Sequence, residues 1–384
     1  MKSNLKIIIV SLTCSIISVL FYSIFSNNLT FKEENNNLAY NNDYFKSFVN
    51  TSGLNNNQSS SNFGSPDLTF AAKKSINAVV HVKNTSIVKE NDSWALQFFY
   101  GDDSRKRGAT GSGVIISPDG YIITNHHVID NSSEVIVTTN DNKEYEAVLV
   151  GSDEVTDVAV LKITSNEKFE YLLFGDSENS EIGQWVLAVG NPYNLNSTVT
   201  AGIISSKSRD LNEYDQINQS FIQTDAAVNI GNSGGAHVNI NAELIGINTA
   251  IQSMTGGFVG YSFAIPSNIV RKIFEDILEY GDVQKGLLGV RGVALKSSYS
   301  KQLNLTDTEG FYIDLIEPGF GADLAGLIKG DIIKEIDGIK INKFSDLSGY
   351  LSTKRPGDKV SVTYSRENQL KITTVTLQKV INEN

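Results

Sequence analysis

The sequence has little cysteine and no cluster of basic residues. Its 384 residues include one cysteine, Cys14, which excludes a disulfide within the chain. Lys and Arg number 32 against 43 Asp and Glu, the net charge is −11, and the sequence contains no Lys/Arg block. This charge pattern excludes the electrostatic surface of a nucleic-acid-binding protein. Hydrophobic residues make up 40% of the sequence, which is enough for two or three domains with sizeable cores.

The N-terminus carries an apolar run, residues 5–25, about as long as one membrane span. Lys2 and Lys6 lie at its start and no further charge follows until Lys32, so the positive-inside rule leaves the N-terminus in the cytoplasm. A cleaved signal peptide needs a shorter apolar run and small residues at a cleavage site, which this segment lacks. We therefore favour an uncleaved inner-membrane anchor. A cleaved signal peptide and a lipid on Cys14 are the alternatives.

The rest of the chain divides by composition. Residues 26–67 are rich in Asn and Ser and too poor in apolar residues to pack, so we predict a flexible linker. In residues 68–280 short apolar runs alternate with turn signals, which is typical of a mostly β sandwich or pair of barrels. The stretch ends in a predicted helix, 267–280, with Ser267 or Asn268 as its N-terminal cap. Residues 281–380 mix strands with short helical stretches and form a separate α+β domain, with no repeat between the two.

A glycine-rich segment, NIGNSGG at residues 229–235, surrounds Ser233. A serine hydroxyl becomes a good nucleophile only where a base takes its proton and nearby donors stabilise the oxyanion. On a tight turn the N–H groups of Gly231 and Ser233, with Asn232 between them, can point into one small space, since glycine tolerates the necessary backbone angles. A plain hairpin has the same composition, so the turn alone does not decide the function.

Histidine is scarce, which narrows the choice of base. The chain contains His81, His126, His127 and His237. His127 follows a predicted strand in YIITNHHVID, and Asp157 immediately precedes another in TDVAVLKI. A carboxylate there can hold an imidazole in the required tautomer, and His, Asp, Ser is a known chain order for a catalytic triad. His237 follows Ser233 by four residues, but a strand leaving the turn would carry its side chain away. We therefore predict His127 as the base.

These motifs resemble a known family. TNHHVI, TDVAVLKI and QTDAAVNIGNSGG are similar to the three triad motifs of the HtrA/Deg trypsin-like serine proteases, and GSGVIISPDGYIITN resembles another of their segments. The resemblance covers residues 68–379 and implies two six-stranded β-barrels with the active site between them. It makes His127 the general base, Asp157 its orienting residue and Ser233 the nucleophile, with no metal or other cofactor. The family usually has Asn at position 126, so His126 is interpreted as a neighbour of the base.

The same resemblance implies a substrate class. Ala227, six residues before Ser233, would lie at the base of the specificity pocket, with Val228 and Ile251 as apolar walls. No carboxylate is present there to bind Lys or Arg, so we expect cleavage after small aliphatic residues. Such residues are buried in folded proteins, which favours unfolded or misfolded substrates.

Two positions near the nucleophile depart from the family pattern. Ile230 and Ala236 stand where proline is common, and proline would stiffen the turn. We therefore expect a looser oxyanion turn. These departures, with His237, also leave open an alternative function as a catalytically idle, peptide-binding holdase.

The C-terminal domain resembles the PDZ domain of the same family through KGLLGV and IEPGFGADLAGLIKGDIIKEIDGIKI. The resemblance implies that a protein C-terminus adds to a sheet edge with its carboxylate bound by backbone N–H groups. The predicted binding residues are Leu287, Leu288, Gly289 and Val290. It also implies that Arg209, in SSKSRDLNEYDQ, relays PDZ occupancy to the active site. It further implies a homotrimer formed through residues 68–72 and a location on the periplasmic side of the cell envelope.

Overall fold

The computed structural model describes residues 66–85, 110–192, 197–211, 220–249, 260–303 and 305–379. The predicted membrane anchor, residues 1–25, and nearly all of the predicted linker lie outside these ranges. Inside them, no helix is both long enough and apolar enough to cross a membrane.

The first barrel follows a short helix. Its elements are α1 (Thr69–Ala78), β1 (Val79–Thr85), β2 (Thr110–Ile115), β3 (Tyr121–Thr124), α2 (His126–Ile129), β4 (Glu134–Thr138), β5 (Glu144–Asp153) and β6 (Val158–Lys162). Among the described residues, the strands close in the order β1-β2-β3-β6-β5-β4. Val80 and Val82 of β1 pack in one buried cluster with Ile122, while the neighbouring Val79 packs in another. This alternation is the period of two that a strand imposes on its side chains.

The second barrel is built in the same way. Its strands are β7 (Trp185–Gly190), β8 (Thr198–Arg209), β9 (Phe221–Thr224), β10 (Ala236–Asn239), β11 (Leu244–Thr249) and β12 (Ser262–Pro266). Within the described ranges they close in the order β10-β11-β12-β9-β8-β7 around a buried apolar cluster that includes Ala188, Ile222 and Ile245. The predicted pair of barrels is therefore confirmed.

A larger buried cluster joins the two barrels. It contains Val79 and Val160 of the first barrel, Val189 and Ile247 of the second, and Ile273 of helix α3 (Ser267–Tyr280). Because this cluster fixes one barrel against the other, it also fixes the loops that meet at their junction.

Helix α3 confirms the predicted helix but not its predicted cap. Gly281 ends the helix with a φ of 75°, the left-handed conformation that glycine adopts readily. At the start, no side chain of the described residues caps the helix. The Ser267 hydroxyl instead donates to the carbonyl of Gly175, and the Asn268 side chain accepts a hydrogen bond from the N–H of Ser177. The N-cap prediction was wrong because both side chains bind a neighbouring loop.

The C-terminal domain is a sheet flanked by short helices. Its elements are β13 (Val290–Ala294), α4 (Ser297–Gln302), β14 (Phe311–Ile316), α5 (Gly321–Leu324), β15 (Ile332–Ile336), β16 (Ile339–Lys340), α6 (Phe344–Leu351), β17 (Lys359–Arg366) and β18 (Gln369–Thr376). The strand order is β13-β14-β15-β17-β18, with β16 paired to β15. In this order β13 is an edge strand, and α6 contacts it. The predicted α+β organisation is confirmed.

Polar contacts join this sheet domain to the barrels. Asp276 of α3 is fully buried and accepts from Lys272 at 2.8 Å and from Arg355 of the C-terminal domain at 2.5 Å. Lys285, at the start of that domain, donates to Asp153 at the end of β5 at 2.9 Å. Two ion pairs therefore bridge the barrels and the C-terminal domain, Arg355–Asp276 and Lys285–Asp153.

Candidate active site

The first two predicted triad residues meet at the edge of the first barrel. Strand β3 ends at Thr124, and α2 starts after Asn125, which places His127 in its first turn. The Nδ1 atom of His127 lies 2.8 Å from Oδ2 of Asp157 and 3.0 Å from Oδ1. The backbone N–H of His127 also donates to Oδ1 of Asp157 at 2.9 Å. The same carboxylate therefore holds both the ring and the backbone of the histidine.

Asp157 is itself held in an unusual conformation. Its φ is 56°, in the left-handed region that few non-glycine residues adopt. Its carbonyl accepts hydrogen bonds from the Asn125 side chain at 2.8 Å and from the His126 N–H at 3.2 Å. The second barrel adds the hydroxyl of Thr249, 3.3 Å from Oδ2 of Asp157. Strained residues of this kind concentrate at functional sites.

The electrostatics of the pair suit a general base. Burial lowers the pKa of His127, but the adjacent charge of Asp157 and its hydrogen bond outweigh that effect, and the net pKa is raised. With Nδ1–H donated to the carboxylate, the neutral ring carries its free lone pair on Nε2. That ring keeps 45% of its side-chain surface exposed, so Nε2 is accessible to a substrate.

Ser233 lies on a turn of the second barrel that packs against the first. The Ser112 N–H of β2 donates to the carbonyl of Ser233 at 2.7 Å. A Cβ built on Gly234 would lie 2.1 Å from the carbonyl of Ser112 and 3.2 Å from the Asn125 nitrogen. The turn therefore approaches the strand end that carries His127 too closely for any residue but glycine at position 234, whose φ is 81°.

No hydrogen bond between the Ser233 hydroxyl and the His127 ring is present among the described residues. Catalytic hydrogen bonds of free enzymes are often long and tighten only when substrate binds.

Two backbone donors of the turn are unoccupied. Within the described part of the chain, the N–H groups of Gly231 and Ser233 have no acceptor, and Gly231 has a φ of 95°. The N–H of Asn232 already donates to the carbonyl of Asn229 at 3.0 Å. Asn232 therefore separates two backbone donors that remain available to a ligand, as an oxyanion hole made of backbone N–H groups requires.

The other histidines lie in different environments. His126 contacts the Ser152 hydroxyl at 3.2 Å through Nδ1. His81 is buried, with Nδ1 3.0 Å from the carbonyl of Asn191. His237 is fully buried, and neither of its ring nitrogens has a hydrogen-bond partner among the described residues. His237 therefore makes no hydrogen bond to Ser233 among the described residues.

The predicted specificity residues are placed only in part. The carbonyl of Ala227 accepts from the Thr200 hydroxyl at 2.7 Å. Val228 is 4% exposed and packs in the apolar cluster of the second barrel. Ile251 lies outside the described residues.

The predicted carboxylate-binding loop needs one correction. Leu287 exchanges two backbone hydrogen bonds with Gln378, at 2.9 and 3.0 Å, so its N–H is not available to a ligand. In the described ranges the N–H groups of Leu288 and Gly289 have no acceptor, and Gly289 has a φ of 81°. The loop and α6 line one side of a cavity of about 520 Å³, with Val290 and Leu347 among the lining residues, and protease-domain residues such as Phe221 and Ile269 line the other side.

Arg209, the predicted relay residue, ends strand β8 and donates through Nε to the side chain of Gln223 at 2.8 Å. The adjacent Ser208 carbonyl accepts a hydrogen bond from Ser345 of α6 at 2.7 Å. The segment that carries Arg209 is thus in direct contact with the C-terminal domain.

Comparisons with known proteins agree with this geometry. Residues 111–247 match the trypsin-like peptidase domain and residues 286–377 match the PDZ domain. The periplasmic pH-dependent serine endoprotease DegQ of Escherichia coli K12 is 38% identical over 320 residues, covering 81% of this chain and 70% of DegQ. This chain belongs to the HtrA/Deg family of trypsin-like serine proteases.

Two further relatives show how much of their length matches this HtrA-type protease. The periplasmic serine endoprotease DegP of E. coli K12 is 40% identical over 271 residues, 70% of this chain and 57% of DegP. A solved structure of the HtrA-type protease AlgW with a tripeptide has a TM-score of 0.62 and 35% identity, covering 82% of this chain and 97% of AlgW. This protein thus matches little more than half of the length of DegP but nearly all of the AlgW chain.

Two residues that hold Asp157 in this HtrA-type protease were not predicted from the sequence. Thr249 reaches Asp157 across the barrel junction, and the Asn125 side chain holds the Asp157 carbonyl. Neither has a local sequence signal, because each contact joins segments more than 30 residues apart.

Proposed function

We propose that this chain is a serine endopeptidase of the periplasm that cleaves unfolded or misfolded proteins. The observation that carries this proposal is the 2.8 Å contact between His127 Nδ1 and Asp157, on the strand end against which the Ser233 turn packs. The relatives named as periplasmic serine endoproteases support the location.

The proposed reaction is acyl transfer through Ser233. Its Oγ attacks the scissile carbonyl carbon while Nε2 of His127 takes the hydroxyl proton, and the carbonyl oxygen becomes an oxyanion. The N–H groups of Gly231 and Ser233 stabilise that charge. His127 then gives its proton to the leaving amine as the C–N bond breaks. A water molecule, deprotonated by the same ring, hydrolyses the acyl-enzyme and restores the serine.

The proposed specificity is for small aliphatic residues before the cleaved bond. Ala227 has no charge to pair with a basic side chain, and the neighbouring Val228 is apolar and packs in the barrel cluster. Peptides that differ only in that residue (Val, Ala, Lys or Phe) test this specificity, and we expect kcat/KM to be highest for Val and Ala.

The proposed regulation acts through the PDZ domain. The free N–H groups of Leu288 and Gly289 suit a peptide carboxylate, and Ser345 links α6 to the segment of Arg209. A peptide with a free C-terminus should stimulate hydrolysis, whereas its amidated form should not. An Arg209→Ala variant that is stimulated as strongly as the wild type would remove Arg209 from the relay.

Membrane anchoring and trimer formation are further parts of the proposal. The apolar residues 5–25 support an inner-membrane anchor, and Phe70, 61% exposed on α1, supports an interface near residues 68–72. Release from membranes by carbonate instead of detergent would contradict the anchor. A single-chain mass for the detergent-solubilised protein in light scattering would contradict the trimer.

The enzymatic proposal is tested with the full chain purified in detergent and unfolded casein as substrate. Wild type should degrade casein, Ser233→Ala should not, and Ser267→Ala, a buried serine away from the site, should match the wild type. If none of the three proteins degrades casein but each keeps it soluble, the result would instead indicate a holdase.

A further inference from the structure

Ser112 lies in the GSG segment of β2, where the strand of the first barrel meets the turn of Ser233. The residue is fully buried, and its polar groups make contacts across the barrel junction. Its hydroxyl donates to the carbonyl of Gly231 at 2.7 Å and accepts from the N–H of Asn191 at 2.8 Å. Its N–H donates to the carbonyl of Ser233 at 2.7 Å. One residue of the first barrel therefore binds two carbonyls of the nucleophile turn in the second.

The neighbouring glycines explain how the hydroxyl reaches the turn. A Cβ built on Gly111 would lie 2.7 Å from the Val128 side chain and 3.0 Å from the carbonyl of Ser233. On the opposite side, a Cβ on Gly234 would lie 2.1 Å from the carbonyl of Ser112. Side chains at these positions would push the strand and the turn apart, and the Ser112 hydroxyl would lose the Gly231 carbonyl.

The two held carbonyls flank the peptide group that supplies one oxyanion donor. The Gly231 carbonyl belongs to the peptide before Asn232, and the Ser233 carbonyl belongs to the peptide after Ser233. Between them lies the peptide that carries the Ser233 N–H. Glycine at 231, with a φ of 95°, has the freedom to rotate if its carbonyl is released. Ile230 adds no proline ring to restrict the turn.

We propose that Ser112 is a positioning residue for the oxyanion hole, acting through its hydroxyl on the Gly231 carbonyl. The inference rests on the proposed function of Ser233 as nucleophile. Without the hydroxyl, the bond from the Ser112 N–H to Ser233 remains, but Gly231 loses its donor and Asn191 its acceptor. Both groups are buried, and the turn rotates to find new partners. That rotation changes the direction of the backbone N–H groups on which the proposed oxyanion hole depends.

The test compares Ser112→Ala with Ser267→Ala in the full chain. Ser267 is a matched control because it is also a fully buried serine whose hydroxyl donates to a carbonyl, that of Gly175, outside the site. For a fluorogenic peptide we expect kcat of Ser112→Ala to fall about 10- to 100-fold, less than for outright loss of an oxyanion donor. KM and the apparent pKa of the base should stay at wild-type values. Ser267→Ala should keep kcat within about twofold, because it leaves the two oxyanion donors untouched.

A pair of inhibitors separates positioning from general loss of structure. A peptide aldehyde forms a tetrahedral adduct in which its carbon bonds to the Ser233 oxygen and its own oxygen enters the oxyanion hole. The corresponding peptide alcohol binds the cleft but forms no adduct. In Ser112→Ala the affinity for the aldehyde should fall by the same factor as kcat, whereas the affinity for the alcohol should not change.

Equal losses for aldehyde and alcohol, or a wild-type kcat in Ser112→Ala, would overturn the inference. If Ser112→Ala does not fold, Ser112→Cys replaces the hydroxyl with a slightly larger thiol, which is a weaker hydrogen-bond donor. That variant should lose aldehyde affinity selectively, and wild-type aldehyde affinity would contradict the inference. If the wild type and Ser267→Ala both fail to hydrolyse the peptide, the proposed function fails instead.

Discussion

The substitution His237→Leu should make this protease more stable in acid. His237 is fully buried on β10, directly across from Ala188 of β7 and Gly246 of β11. Neither ring nitrogen has a hydrogen-bond partner among the described residues. β7 and β11 carry no titratable side chain, so neither flanking strand supplies a counter-charge to an imidazolium, and the nearby polar group on β11 is the neutral amide of Asn248.

The magnitude follows from the pKa of this ring. Burial lowers the pKa of His237 from 6.5 to about 4, against a smaller upward effect of the Asn248 side chain. Since the unfolded chain binds the proton first, stability is complete above pH 6.5 and is lost as the pH falls toward 4. At about 1.4 kcal/mol per pKa unit, the loss reaches roughly 3 kcal/mol below pH 4 and about 2 kcal/mol at pH 5.

Urea unfolding at pH 7.5 and pH 5 measures this difference. The wild type should lose about 2 kcal/mol more than His237→Leu between the two pH values. Ile245→Leu is the control, because it changes the apolar cluster of the second barrel, to which Ala188 also belongs, without altering a titratable group. It should shift the free energy of unfolding equally at both pH values. An identical pH dependence for wild type and His237→Leu would refute the reasoning.

Three further predictions concern the site and the domain junction. Asp157→Asn should lower kcat about 10⁴-fold with little change in KM, since an amide favours the wrong tautomer of His127. Because Asp157 raises the pKa of His127, the same substitution should shift the acid limb of the pH–rate profile to lower pH. An unchanged acid limb would contradict the raised pKa of the base. Gly234→Ala should destabilise the fold by about 2–4 kcal/mol in urea unfolding, because the new Cβ meets the Ser112 carbonyl; wild-type stability would show that the turn can retreat. Asp276→Asn should cost about 3–5 kcal/mol in the same assay because Lys272 remains buried without its counter-charge, and a loss below about 1 kcal/mol would contradict that.

The sequence predicted the elements whose signals are local. The short apolar runs between turn signals predicted a mostly β domain, whereas the two barrels were predicted from the family resemblance. The apolar face of residues 267–280 predicted the helix that the structure begins at Ser267 and ends at Tyr280. Its cap was mispredicted because Ser267 and Asn268 bind residues about 90 positions away. Local rules for helix ends do not include such partners.

The candidate site was predictable as a set of residues but not as a geometry. His127, Asp157 and Ser233 stand in recognisable local contexts, and the first two are in contact in the structure. The hydroxyl of Ser112 reaches Gly231, 119 residues away, and Thr249 reaches Asp157, 92 residues away. These contacts depend on how the barrels pack through their shared buried cluster, which no local pattern encodes.

Covalent labelling identifies the nucleophilic serine and its dependence on the base. A peptide fluorophosphonate loses fluoride when a serine oxygen attacks its phosphorus, and the reaction needs the base to take the serine proton. After incubation with the full chain, digestion and mass spectrometry should find the adduct on Ser233, and His127→Ala should slow its formation by several orders of magnitude. An adduct on another serine, or labelling of His127→Ala at the wild-type rate, would contradict the proposed triad.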